Sequence, residues 1–168
     1  MALELNGTTG VSLVQDGVIT DANLPAGSVL QVIYSTAGAS TTGTTINTWV
    51  DTTATASITP SSTSNKILVT AWGGAYYNNT NSYPTIKFGF KRDSTHIFDG
   101  AQVFYLDNRS SGTLFGQQLV QGTCCYLDSP ATTSSTTYTL QYYFNRVSGT
   151  GVGGVENPLG ITLMEIAA

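Results

Sequence analysis

The chain has 168 residues, a formal net charge of −4, 40% hydrophobic residues and only 10% charged ones. That length suits one domain. Six Lys and Arg residues are too few and too scattered for a phosphate-tracking surface, which argues against nucleic acid as a partner, and no apolar run nears the roughly 20 residues of a bilayer-spanning helix. Ordinary soluble domains carry about 25% charged residues, so the surface here is built from Ser, Thr, Asn, Gln and Gly. The opening MALELNGTTG lacks the basic and apolar regions of a secretory signal, so synthesis in a cytoplasm is expected.

The first 27 residues hold short apolar pieces cut by Asn-Gly, Thr-Gly and Asp-Gly. They read as an N-terminal arm for assembly contacts, carried by Leu3, Leu5, Val11, Leu13, Val14, Val18 and Ile19, or else as an ordinary first hairpin. The Pro25-Ala26-Gly27 break favours the arm. Residues 28–168 then read as one all-β domain. Strands are expected at Val29 to Ser35, Ile46 to Asp51, Thr53 to Thr59, Lys66 to Trp72, Thr85 to Lys91, Ala101 to Leu106, Leu114 to Tyr126, Thr137 to Val147 and Ile161 to Ile166. Thr, Val, Tyr, Ile and Phe dominate these stretches, and Gly or Ser/Thr/Asn clusters separate them. KILVTAW, apolar at both phases, is expected to be a central buried strand. TIKFGFK alternates Ile86, Phe88 and Phe90 against Lys87 and Lys91. Gly73-Gly74 is expected to end a strand, and GTGVGG to form a flexible loop before the last one. The spacing of about nine strands with turn-rich links predicts an antiparallel β-sandwich or jelly roll.

No chemistry stands out. Cys124 and Cys125 are adjacent, so on a strand they face opposite ways; they read as packed small hydrophobes rather than a redox or metal site. His96 reads as a solvated turn residue after Asp93-Ser94-Thr95. The carboxylates leave polysaccharide cleavage open by residue type, but no pair is marked out, and no catalytic, metal or cofactor site is expected. AYYNNTNSYP places Tyr76, Tyr77, Asn78, Asn79, Asn81 and Tyr83 in an expected loop. Rings beside amides suit a partner- or glycan-binding loop, and equally plain packing. In YTLQYYFN, Tyr138, Leu140, Tyr142 and Phe144 share one face. Gln141 and Tyr143 lie on the other, a neutral aromatic face suited to a subunit interface.

Four stretches, LNGTTGVSLVQDGVIT, ASITPSSTSNKILV, YLDSPATTSSTTYTLQY and ITLMEIAA, resemble small structural proteins of tailed bacteriophages, cyanophages in particular, and the distal domains of phage fibres. The resemblance covers most of the chain and omits the loop at Tyr76 to Pro84. It implies a jelly-roll-like sandwich assembled as a homotrimer, located on the virion exterior and released by lysis. Three roles follow as expectations: a capsid-decorating or cement protein in contact with the major capsid protein; a short tail-fibre or receptor-binding tip that meets host surface glycan; and, least supported by the residues, a depolymerase. One compact domain with no repeated shaft favours the first.

Overall fold

A computed structural model describes residues 23–78, 84–105, 117–146 and 151–168. The proposed arm residues Leu3, Leu5, Val11, Leu13, Val14, Val18 and Ile19 lie outside the described residues, as do Asn79, Asn81 and Tyr83. The described residues form β1 (Val29–Ala37), β2 (Thr41–Gly43), β3 (Trp49–Ile58), β4 (Lys66–Asn78), β5 (Pro84–Arg92), β6 (Thr95–Tyr105), β7 (Gln117–Asp128), β8 (Thr136–Arg146) and β9 (Val152–Ile166).

The strands make two sheets. The first has the order β1-β9-β4-β7, with β2 also on β9; the second has the order β3-β8-β5-β6. Apart from β2, the antiparallel partners nest: β1 with β9, β3 with β8, β4 with β7 and β5 with β6. Successive nested pairs fall in alternate sheets, so a long hairpin has been rolled up into a sandwich. This is a jelly roll, the expected class.

Alternation within the strands supplies the core. The first sheet turns Ile67, Val69, Ala71, Ala75 and Tyr77 of β4 and Leu159, Ile161 and Leu163 of β9 inward. The second sheet answers with Ile86, Phe88 and Phe90 of β5 and Tyr138, Leu140, Tyr142 and Phe144 of β8. Ala54, Ala56 and Ile58 alternate inward along β3. Small β3 residues lie beside large β8 ones, as where Ala56 pairs with Tyr138, so large and small side chains alternate across the layer. Each fully buried large side chain contributes about 1.5–3 kcal/mol.

Several boundaries differ from expectation, each for a packing reason. The WVD end of INTWVD and the TATASI stretch form one strand, which starts at Trp49 just after the left-handed Asn47 (φ 60°). Gly73-Gly74 does not end β4. A Cβ on Gly73 would lie 2.5 Å from Leu159 Cδ2, and one on Gly74 would lie 2.5 Å from Leu119 Cδ1. These glycines admit side chains from neighbouring strands; they do not turn the chain. β4 therefore runs on through Tyr76, Tyr77 and Asn78. Gly153 and Gly154, expected in a flexible loop, belong to β9, where the Phe144 ring lies over Gly153. β6 begins at Thr95, ahead of the expected Ala101, after a tight turn in which Asp93 is left-handed (φ 51°), a conformation Asp tolerates.

β4 is central, as expected, but only one of its faces is buried. Ile67, Val69 and Ala71 are buried, while Leu68, Thr70 and Trp72 are half-buried on the outside. Register places these outward residues in rows across the first sheet: Val32–Met164–Leu68–Leu127, Tyr34–Thr162–Thr70–Cys125 and Thr36–Gly160–Trp72–Thr123.

Candidate recognition surface on the second sheet

The outer face of the second sheet brings Trp49, Tyr143 and His96 together with polar and charged side chains. Register gives its rows: Trp49–Tyr143–Lys87, Asp51–Gln141–Gly89–Asp99 and Thr55–Thr139–Lys91–His96. Gly89 is what lets the rings lie down. A Cβ there would sit 2.8 Å from the Trp49 ring and run into the Phe98 carbonyl oxygen. The indole therefore rests on the sheet, with His96 stacked on it at 4.5 Å between centroids and Tyr143 tilted at 5.4 Å.

Hydrogen bonds then fix the cluster. Gln141 Nε2 donates to Asp51 Oδ1 at 2.6 Å. Gln141 Oε1 faces His96 Nδ1 at 2.5 Å, and His96 Nε2 faces Asp99 Oδ1 at 2.6 Å. Lys91 pairs with Asp51. Burial works against the Asp51 carboxylate, but the Lys91 and Gln141 hydrogen bonds outweigh it and hold its pKa below the usual range. Tyr143 Oη donates to Asn47 Oδ1 at 3.0 Å, and Lys87 Nζ lies 5.7 Å from the Tyr143 ring centroid, within cation–π reach. Aromatic faces are thus ringed by amides, carboxylates and lysines, an arrangement suited to hydroxyl-rich or mixed polar ligands.

The sequence-derived site residues divide differently from expectation. His96 is not a solvated turn residue: it lies in β6 and stacks on Trp49. Gln141, expected at a subunit interface, is 5% exposed, covered by its own chain's His96 and Asp51. Tyr143 is half-buried beside it. Tyr76 and Tyr77 are strand residues at 8% and 3% exposure rather than loop residues, and Asn78 closes β4. Tyr77 packs against Phe144 at 5.9 Å. Among the described residues an aromatic cluster lies on β3, β6 and β8. Trp49, outward in phase with Asp51, carried a signal that sequence reading passed over.

Two carboxylates that alternation turns inward serve the framework. Asp128 accepts from Arg92 Nη1 (3.1 and 2.8 Å) and from Tyr138 Oη (2.7 Å), tying the first sheet to the second. Burial pushes the Tyr138 hydroxyl pKa well up, and the Asp128 hydrogen bond adds to it. Glu165 Oε1 accepts from Ser61 N (2.7 Å), Ser61 Oγ (2.8 Å) and Asn65 Nδ2 (2.7 Å), while Oε2 accepts from Gln31 Nε2 at 2.5 Å. The cysteines face opposite ways as expected, Cys124 buried and Cys125 exposed, and both are free. Burial pushes the Cys124 thiol up to about 12. Among the described residues no group of His, Cys, Asp and Glu is placed to hold a metal ion.

The fold and surface define an all-β jelly-roll domain with one polar, aromatic outer face and one apolar outer face. No protein-family model and no curated protein matches the chain. Among solved structures it is similar to one described as the structure of infectious bursal disease virus, Gx strain. Identity is 14%, with 86% of this chain and 37% of that one covered and a TM-score of 0.27. The chain thus spans well under half of that neighbour, and at that score the likeness bears on neither topology nor function.

Proposed function

We propose that the chain is a non-enzymatic structural protein on the exterior of a tailed phage particle, a capsid-decorating or cement protein that stabilises the head and assembles as a homotrimer. The observation that carries this reading is the contrast between the two outer faces. The first sheet's outer face crosses four strands with one wholly apolar row, Val32–Met164–Leu68–Leu127, beside two uncharged rows, and contiguous exposed apolar surface marks an interaction site. The second sheet's face is polar and suits solvent. A domain made this way buries that face in assembly with its own copies, and symmetry multiplies the oligomer's weak contacts to the head into firm attachment. The inward carboxylates Asp128 and Glu165 are committed to framework hydrogen bonds, which supports a structural role over hydrolysis. Labelling the protein on intact particles and locating it by electron cryomicroscopy tests the reading. Density at repeated positions over the head is expected; density on the tail alone, or none, refutes it.

The Trp49–His96–Tyr143 cluster favours a second reading, a tail-fibre or receptor-binding tip that takes host surface polysaccharide. It predicts binding to host envelopes or a glycan array that Trp49→Ala reduces at least tenfold. No binding by the unaltered protein removes it.

A further inference from the structure

The outer face of the first sheet is the most unusual surface among the described residues. Val32, Tyr34 and Leu127 are 53%, 57% and 47% exposed, and register joins them through Met164, Leu68, Thr162 and Thr70 into two rows that span β1, β9, β4 and β7. Val29 at one end and Leu119 at the other are about half-exposed as well. Four strands at about 4.8 Å spacing, over the length from Lys66 to Trp72 at about 3.3 Å per residue, give a face of roughly 400 Å². That is the size of the contiguous patches that mark interaction sites and about half of the roughly 800 Å² per partner of a standard interface.

Charge indicates what can cover it. The whole chain is at −4, so copies repel one another in general. On this face the described charged residues are Lys66, paired with Ile166 at one end, and Glu156, paired with Gly74 towards the other. The rows between them carry none. The acidic groups Asp51 and Asp99 sit on the opposite sheet, and Asp128 and Glu165 point inward. This is the surface across whose uncharged rows like-charged copies can meet without opposing carboxylates.

We propose that a second copy of this chain covers the outer face of the first sheet, so that the Val32–Met164–Leu68–Leu127 row lies at the centre of the homo-oligomer interface. This deepens the functional reading above by naming the surface that holds the oligomer together, and it rests on that reading only for the expected trimer. Cys125 lies in the neighbouring row and becomes covered on assembly, so its thiol reports on the interface.

The test uses the full chain at about 20 µM, with light scattering after size exclusion and a maleimide of about 5 kDa as the Cys125 probe. The unaltered protein is expected at a multiple of 17.7 kDa, with Cys125 labelled at least tenfold more slowly than in a monomer. Val32→Lys with Leu127→Lys, both at exposed positions, is expected to give a folded monomer with unchanged circular dichroism and fast labelling. Ser57→Lys, on the outer face of the other sheet, is expected to stay assembled. If the double variant does not fold, Leu127→Lys alone serves, expected to weaken assembly at least tenfold. A monomeric unaltered protein overturns the proposal, as does a double variant that remains assembled. Deletion of residues 1–22 that frees Cys125 without changing the number of copies also overturns it, since that segment would then be the cover. An unaltered protein that is monomeric yet decorates particles sinks this proposal and spares the decorating role; an intact oligomer absent from particles does the reverse.

Discussion

Glu165 gives the most exacting check on the fold. It is 0% exposed and carries four accepted hydrogen bonds from β1 and from the turn between β3 and β4. Glu165→Ala removes all the acceptors at once. Asn65 is 5% exposed, so its orphaned amide donor costs about 1–3 kcal/mol; Gln31 and Ser61 are reached by water and lose about 0.5–1.5 kcal/mol each. The total is about 2–6 kcal/mol, a large share of the roughly 5–15 kcal/mol that holds a domain. Glu165→Gln keeps one acceptor oxygen and is expected to cost about half as much. Burial raises the Glu165 pKa, but the Asn65, Gln31 and Ser61 donors outweigh it, so the folded pKa lies below the usual glutamate range. A depressed carboxylate stabilises fully above its unfolded pKa, and the stability is lost as pH falls through the lower folded value. Urea unfolding at pH 7 and at pH 3 measures both effects. Wild type is expected to lose stability between these pH values, and Glu165→Ala to lose less. A cost under 1 kcal/mol at pH 7, or an equal acid loss in both proteins, refutes the account of this cluster.

Three further outcomes follow from packing. Tyr138→Phe removes one donor from Asp128 and is expected to cost about 1.5 kcal/mol in urea unfolding; no change would mean that Arg92 alone satisfies the carboxylate. Gly89→Ala must displace Trp49 or the Phe98 carbonyl and is expected to cost about 2–4 kcal/mol. Gly38→Ala, with nothing within 4 Å of a new Cβ, is expected within about 0.5 kcal/mol of wild type, and equal effects at the two sites would undo the packing argument. With its thiol pKa pushed up to about 12, Cys124 is expected to resist a disulfide reagent at pH 8 until urea unfolds the chain; reaction in the native protein would contradict its burial.

Period-two alternation made much of the jelly roll legible. TIKFGFK and YTLQYYF show the phase that buries Phe88, Phe90, Tyr142 and Phe144. Glycine misled the reading of boundaries, because the same residue turns a chain and makes room in a sheet. Gly73, Gly74, Gly153 and Gly89 all do the second, and only the neighbouring strand reveals which. The recognition surface was hidden for a similar reason: Trp49, His96 and Gln141 are far apart in sequence, and register on three strands brings them together. Glu165 was readable in principle. In ITLMEI it shares the inward phase of Ile161 and Leu163, and a carboxylate in that phase has to be fully bonded.

The scarcity of charge and the apolar outer face have one cause. Of the chain's charged side chains, several are committed within the described fold: Arg92 to Asp128, Lys91 to Asp51 and Glu165 to the turn before β4. Each spans elements that alternation alone would not lock together, so removing one loosens a sheet edge or a sheet-to-sheet contact. Edge strands β1 and β7 are left with hydroxyls and aliphatics on their outer side, where isolated sheet proteins place lysines to prevent edge and face association. A chain that relied on solvent to cover that face would gain from charges at Val32, Tyr34 or Leu127 at almost no cost to its core, since all three already point outward. Their absence fits the assembly proposed for that face.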